Sequence, residues 1–288
     1  MRFCFIIERE YRRQPMPTVV ADQLIQWGHD VDLLEPEETI TSLVDLGSHG
    51  YDAYVLKTVS AGPGQSLIEA VEAAGIPTIN PSHAIRLVRD KAVAASFARA
   101  HGLPVPLTYF VAHPRLLRQI PSEAYPLVVK PTNGSSCRGI YRVNQPSELR
   151  TLDIAEARDS YLLAQRYVEN AGYDIKLYVT GTEVDAVVKK SPLHPEIQEG
   201  LIPVTPEMRK LALQVGKLFG LVIYGLDVVE TPDGLAVLDI NDFPSFRLVP
   251  RAVIRVAEYI LHAAKDAELK RDARLQRQQR RQAKVRSE

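Results

Sequence analysis

Over the first 85 positions, short apolar runs alternate with segments whose apolar residues recur at helical spacing. The runs at 3–7, 31–34, 54–56 and 78–79 have the length and the β-branched or aromatic content of strands. The segments at 18–27 and 67–74 carry the helical period, and Gly28, Gly50 and Gly75-Ile76-Pro77 mark turns between elements. Strand, helix, strand in repetition predicts a small open parallel sheet, which needs helices on both faces because its strands are apolar on both. Gly62-Pro63-Gly64 is read as a loop. It lacks the third glycine and the following helix of a dinucleotide-binding turn, so no such site is expected in this half.

The pattern changes after residue 80. Asn80-Pro81-Ser82 reads as a helix start that either polar residue could cap, and the helical period then holds over 84–101 up to Gly102-Leu103-Pro104. A second unit is therefore placed from about residue 86. Its strands are expected at 126–131, 139–143, 161–168, 174–179, 184–189, 225–230 and 235–240, with a helix at 206–219 among them and another at 249–264 closing the unit. Strands with isolated helices predict an α+β half behind the α/β first half.

Composition changes this picture little. The chain has 288 residues, 45% hydrophobic and 24% charged, with a formal net charge of zero, which describes an ordinary globular protein with room for several lobes and a cleft. The apolar runs are far shorter than the roughly 20 residues of a membrane helix. The acidic Glu8-Arg9-Glu10 directly after the first run argues against a signal peptide. Cys4 and Cys137 cannot build a disulfide framework or a four-thiolate zinc site, and a cytoplasmic location is expected. From Lys265 onward nine Lys and Arg stand against four acids. Residues 265–288 are read as a basic, frayed helical tail. Without interleaved aromatics it does not predict a nucleic-acid site.

Three stretches carry candidate chemistry. Lys130 ends one strand, and the small, flexible residues between Thr132 and Gly139 follow it. Glycine and serine amides in tight turns can converge on anionic oxygens beside a lysine, although such a turn is also an ordinary surface hairpin. It is not a Walker loop, since no Gly-Lys-Ser/Thr follows and a strand rather than a helix comes next. The second stretch pairs Asp227 with Asp239-Ile240-Asn241. Period two places Asp239 and Asn241 on one face, and an antiparallel neighbour can bring Asp227 beside them. Carboxylates in apolar strands are costly unless paired or metal-bound, and three hard oxygen ligands suit magnesium or manganese. The third stretch, Asn241 to Arg247, contains Phe243-Pro244, which turns the chain out of the strand and presents Ser245 and Arg247.

Taken in order, these motifs resemble the ATP-grasp superfamily over roughly 82–261. The resemblance rests on Val129-Lys130-Pro131 with the loop after it, Asp174-Ile175-Lys176, Gly225-Leu226-Asp227 and Asp239-Ile240-Asn241. It implies an N-terminal Rossmann-like domain at 1–85 and an ATP-grasp domain at 86–264. The latter would have a central lobe at about 91–160 and a C-terminal lobe at about 161–264, the two enclosing ATP. It further implies that Lys91 and Lys130 contact the nucleotide and that Gly134, Ser135, Ser136 and Gly139 fold over its phosphates. By the same likeness Gln165, Arg166, Tyr167 and Val168 form the adenine hinge, and Asp174 and Lys176 lie beside the nucleotide. Asp227, Asp239 and Asn241 would hold magnesium, with Lys130, Lys189 and Arg247 as catalytic groups. A homodimer is left open.

Two branches of the superfamily are similar to this chain. RimK-type glutamate ligases and related carboxylate–amine ligases share the glycine loop and Asp174-Ile175-Lys176. Inositol 1,3,4-trisphosphate 5/6-kinases are resembled by Val55-Leu56-Lys57, Val187-Val188-Lys189 and Phe243-Pro244. The sequence departs from the ligases at Asp239, where Glu is usual, and at Ser191-Pro192-Leu193-His194. It departs from the kinases in having only scattered cations, among them Lys57, Arg138, Lys189, Lys190 and Arg247. The reading preferred is a ligase acting on a small molecule or peptide, ahead of a kinase and of a non-catalytic nucleotide-binding module.

Overall fold

The computed structural model describes residues 1–57, 62–132, 139–150, 161–190 and 193–287, and from residue 270 on the backbone alone. Its first sheet is parallel throughout. β1 (Arg2–Ile7), β2 (Asp30–Leu34), β3 (Ala53–Lys57) and β4 (Thr78–Ile79) lie in the order β2-β1-β3-β4, with α1 (Pro15–Gln26) and α2 (Pro63–Ala73) between them in sequence. Period two splits the central strand: Phe3, Phe5 and Ile7 pack with Val20 and Leu24 of α1, while Cys4 and Ile6 pack with Ile68 and Val71 of α2. Both faces are covered, as an all-apolar strand requires.

Gly62-Pro63-Gly64 is not a loop. Gly62 caps α2 and Pro63 opens it, because the buried Glu8 carboxylate accepts a hydrogen bond from the Gly64 amide at 2.8 Å. A Cβ at Gly62 would lie 2.1 Å from that carboxylate, so close approach to an acid at the start of the helix requires glycine there.

The helical stretch read at 84–101 is two helices, α3 (Ser82–Arg89) and α4 (Lys91–Ala100). Asp90 divides them. It takes an extended conformation, and its side chain accepts from the amides of Ala92 and Val93. A capping aspartate gains more there than inside a helix. Neither Asn80 nor Ser82 caps α3: the Ser82 amide donates to Glu72, and Asn80 is drawn away to the far sheet described next.

Two antiparallel sheets make the rest. β5 (Thr108–Val111), β6 (Leu127–Pro131), β7 (Tyr141–Val143) and β8 (Leu162–Arg166) form one in the order β5-β8-β6-β7. The other contains β9 (Asp174–Thr180), β10 (Glu183–Lys189), β11 (Gly200–Ile202), β12 (Ile223–Thr231) and β13 (Gly234–Asp242), in the order β11-β10-β9-β12-β13. The sequence pattern did not reveal β5 or β11, which are only four and three residues long. α5 (Pro206–Phe219) packs on this last sheet, and its start follows the local rules: Thr205 caps the Met208 amide and Pro206 occupies the first turn. Within α5, a Cβ at Gly216 would meet the Tyr224 hydroxyl oxygen at 2.2 Å, where that hydroxyl donates to the Ala212 carbonyl. Gly216→Ala is therefore expected to destabilise the chain by about 2 kcal/mol through overpacking, read as a lower midpoint in urea.

α6 (Ala252–Ser287) begins three residues later than the helix expected from 249 and runs unbroken past 264. Leu248 and Arg251 sit at φ 66° and 55°, outside helical space, which delays its start. Its Val256, Ala257, Ile260 and Ala264 are buried with Phe3, Val20 and Ile223, so one core joins the first and third sheets. Among the described residues no helix is long and apolar enough to cross a membrane.

Candidate active site

All three sheets border one cleft of about 460 Å³. On β6 the buried residues Leu127, Val129 and Pro131 alternate with Val128 and Lys130, which line the cleft. Lys130 donates to the Leu238 carbonyl of β13 at 2.9 Å and to Gln165 Oε1 at 3.4 Å. Gln165 is oriented in turn by donating to Thr108 on β5. Gln165, Arg166, Tyr167 and Val168 border the cleft beside the apolar Ile140, Val229 and Leu238. The amides of Arg166 and Tyr167 donate to Leu107 and Pro126, at 2.7 and 2.8 Å, which ties this segment to the strand ends beside it. Arg142 stacks over the Tyr167 ring at 4.0 Å.

Opposite lies the acidic pair. Asp227 on β12 stands directly across from Asp239 on β13, and Asn241 follows Asp239 by two residues on the same strand face. Asn241 donates from its side-chain nitrogen to Asp227 at 3.2 Å. Four lysines surround these groups. Lys176 contacts Asp227 at 2.8 Å and Lys189 contacts it at 3.6 Å, while Lys91, the first residue of α4, pairs with Asp239. Burial opposes ionisation of Asp227, yet Lys176 and Lys189 outweigh it and hold the carboxyl well below the usual carboxylate range. Asp239 is lowered as well: burial and the neighbouring Asp227 oppose ionisation, and Lys91 with Lys130 overcome them. Two ionised aspartates beside an amide oxygen are a hard-oxygen donor set that fits magnesium.

Two of the remaining expected residues, Asp174 and Arg247, are also at the cleft. Asp174 borders it, 4.0 Å from His194, and Arg247 borders it while paired with Glu199 at 2.7 Å. Gly139 is in the left-handed region at φ 68°. Gly134, Ser135 and Ser136, with the rest of 133–138, lie outside the described residues. After β13 the chain turns through Phe243, Phe246 and Leu248, non-glycine residues at φ 35°, 48° and 66°. Such conformations cost about 1 to 3 kcal/mol each and collect at functional sites. Buried Phe243 and Phe246 hold the turn, the latter stacked on Tyr178 at 5.2 Å.

The sequence reading missed Tyr11, Gln14 and Arg89, and gave no role to Asp242, His194 or Glu199, all of which border the cleft. Arg89 clasps Asp242 through two contacts of 2.8 and 2.9 Å. Asp242, next to Asn241 in the stretch expected to bind metal, was the only visible signal of that pair.

A family model, the RimK-like ATP-grasp domain, matches residues 88–263, which hold every described element of the lysine-and-aspartate site. The chain belongs to the RimK-like ATP-grasp family. Among its relatives is a probable alpha-L-glutamate ligase of Stutzerimonas stutzeri, 29% identical over 251 residues, covering 76% of this chain and 80% of the relative. The fold is shared with a RimK domain ATP-grasp protein from Sphaerobacter thermophilus at a TM-score of 0.73, with 19% identity and 90% and 99% of the two chains covered. It is shared too with the ATP-grasp ligase PsnB complexed with minimal precursor, Mg and ADP, at a TM-score of 0.68, with 17% identity and 91% and 98% covered. This RimK-like protein is thus an enzyme of the ATP-grasp ligase class, a group that uses ATP and magnesium.

Proposed function

We propose that this RimK-like enzyme uses magnesium-bound ATP to activate a carboxylate of a small molecule or peptide as its acyl phosphate, and then joins it to an amine. The observation that carries this reading is the Asp227–Asp239 register pair with Asn241, set among Lys91, Lys130, Lys176 and Lys189 in one cleft. Asp227, Asp239 and Asn241 would hold the metal, and when bound the magnesium–ATP complex supplies the phosphoryl group with its charge partly neutralised. Lys91, Lys130 and Lys176 would position the phosphates, with Gly134, Ser135, Ser136 and Gly139 closing over them and Asp174 beside them. Of the Gln165–Val168 hinge, the amides of Arg166 and Tyr167 are committed to protein carbonyls. Reading of the adenine edge by amides there falls to Val168.

Lys189 and Arg247 stand on the acceptor side, where they would steady the carboxylate as its oxygen takes the γ-phosphoryl group from ATP. The amine nitrogen then forms the new bond to the carbonyl carbon while the C–O bond to phosphate breaks, and the nitrogen gives up its proton. A polyphosphorylated cyclitol suits this side poorly, because Arg89 is already clasped to the buried Asp242. A cytoplasmic location fits the same reading, Cys4 being a free buried thiol. The test offers amino acids or cyclitols with Mg-ATP and identifies the product by mass. Trapping of an acyl hydroxamate by hydroxylamine is expected, whereas an acid-stable phosphate ester would overturn the proposal.

A further inference from the structure

An amino group enters a neutral solution's cleft chiefly as its ammonium form, which has no lone pair for attack, so a group at the cleft has to take a proton from it. Most acids bordering the cleft are already held by cations: Asp227 by Lys176 and Lys189, Asp239 by Lys91, Asp242 by Arg89 and Glu199 by Arg247. Lys57 donates to the Phe243 carbonyl. His194 is placed differently. It borders the cleft beside Leu193, on the chain that follows β10, with Ser191 and Pro192 outside the described residues. Two contacts fix the course of this segment. The Lys190 amide donates to Glu199 at 3.4 Å, and Glu199 pairs with Arg247 at 2.7 Å. The segment thus begins beside Lys189 and ends against Arg247, the two groups assigned to the acceptor side. The His194 side chain is 12% exposed, and its buried Nε2 has no hydrogen-bond partner among the described residues, lying 4.0 Å from Asp174 Oδ1. Asp174 is itself the register partner of Lys189 across β9 and β10. A buried polar atom without a hydrogen bond is uncommon and marks a candidate for catalysis.

We propose that His194 is the catalytic base of the amine step, taking a proton from the incoming ammonium at Nδ1 while Nε2–H faces Asp174. This rests on the ligase reading and adds to it the group that receives the proton. Once His194 holds that proton, the freed lone pair bonds to the carbonyl carbon of the acyl phosphate. The C–O bond breaks with its electron pair going to the phosphate oxygen, which takes the second proton that the nitrogen loses as the amide forms. Imidazole suits the task because it exchanges a proton readily near neutral pH. The 4.0 Å contact is between a ring and a carboxylate and is too long for a hydrogen bond, yet a protonated ring gains an attraction to Asp174 that a neutral one lacks.

The test supplies the twenty protein amino acids as one mixture with Mg-ATP and reads ligated amides by mass. A parallel arm adds hydroxylamine, which is uncharged at neutral pH and attacks without a base, and reads hydroxamate. His194→Gln should lower ligated amide by about 10²-fold or more. Hydroxamate should fall no more than about threefold, and the KM for ATP should stay within about twofold. Added imidazole should restore part of the ligation to His194→Ala. If His194→Gln does not melt cooperatively, His194→Asn, which keeps a polar atom near the place of Nδ1, carries the test with the same expected split. An equal fall in both arms would mean that His194 serves ATP or carboxylate activation, and overturns the base. So does ligated amide that stays within about threefold in the folded variant, or hydroxamate without any ligated amide from the unaltered enzyme; each leaves the ligase reading standing. Hydroxamate absent from the unaltered enzyme overturns both.

Discussion

Asp239→Asn is expected to lower ATP turnover by about 10³-fold, roughly 4 kcal/mol of transition-state stabilisation. The substitution keeps the shape and removes one of the two charges facing each other across β12 and β13. Magnesium prefers charged oxygens, and with only Asp227 left the donor set loses half its charge. Stability should change far less. Losing the Lys91–Asp239 pair costs about 1 to 3 kcal/mol, while relief of the repulsion between the two aspartates works in the opposite direction. ADP release measured beside a thermal melt distinguishes the two effects. Equal ATP consumption by both forms would exclude Asp239 from the metal site.

Asn80→Ala is expected to produce the largest loss of stability, about 3 to 5 kcal/mol in urea unfolding. Asn80 is 1% exposed and bridges the end of β4 to the start of β12. Its side-chain oxygen accepts from the amides of Val222 and Ile223 and its nitrogen donates to the Ile223 carbonyl, each at 2.8 Å. Alanine leaves three buried backbone groups to find other partners, at about 1 to 3 kcal/mol for each group left unsatisfied. The variant should also bind ATP more weakly, since β12 carries Asp227. A loss below about 1 kcal/mol would mean that water replaces the amide and that the bridge is not a structural joint.

The sequence and the folded chain agree where one period dominates. The alternation at Asp239 and Asn241 placed them on one face, and α5 came out at its expected bounds because Thr205, Pro206 and Gly220 all act locally. Agreement fails where a distant group decides. A carboxylate 56 positions from Gly64 turns Gly62-Pro63-Gly64 into a helix start, and a backbone 143 positions away takes Asn80 from its expected capping role. The Arg89–Asp242 pair spans 153 positions, and no local pattern in α3 marks Arg89 out from a solvated arginine. The part of the cleft built from β6, β8, β9, β12 and β13 was legible because most of its residues come as contiguous motifs on strands. The rest of the cleft was not, because its groups come singly from β3, α3, the approach to α1 and the loops after β10 and β13.

The packing of α6 against α1 and the first sheet has a consequence for synthesis on the ribosome. Phe3, Val20 and Leu24 share their core with Val256, Ile260 and Ala264, which are made more than two hundred residues later. α1 covers its own part of that face, and the part that α6 covers stays bare while the intervening residues are added. The first sheet is therefore completed only after α6 has been made, and until then the uncovered apolar surface is open to chaperones or to a neighbouring nascent chain.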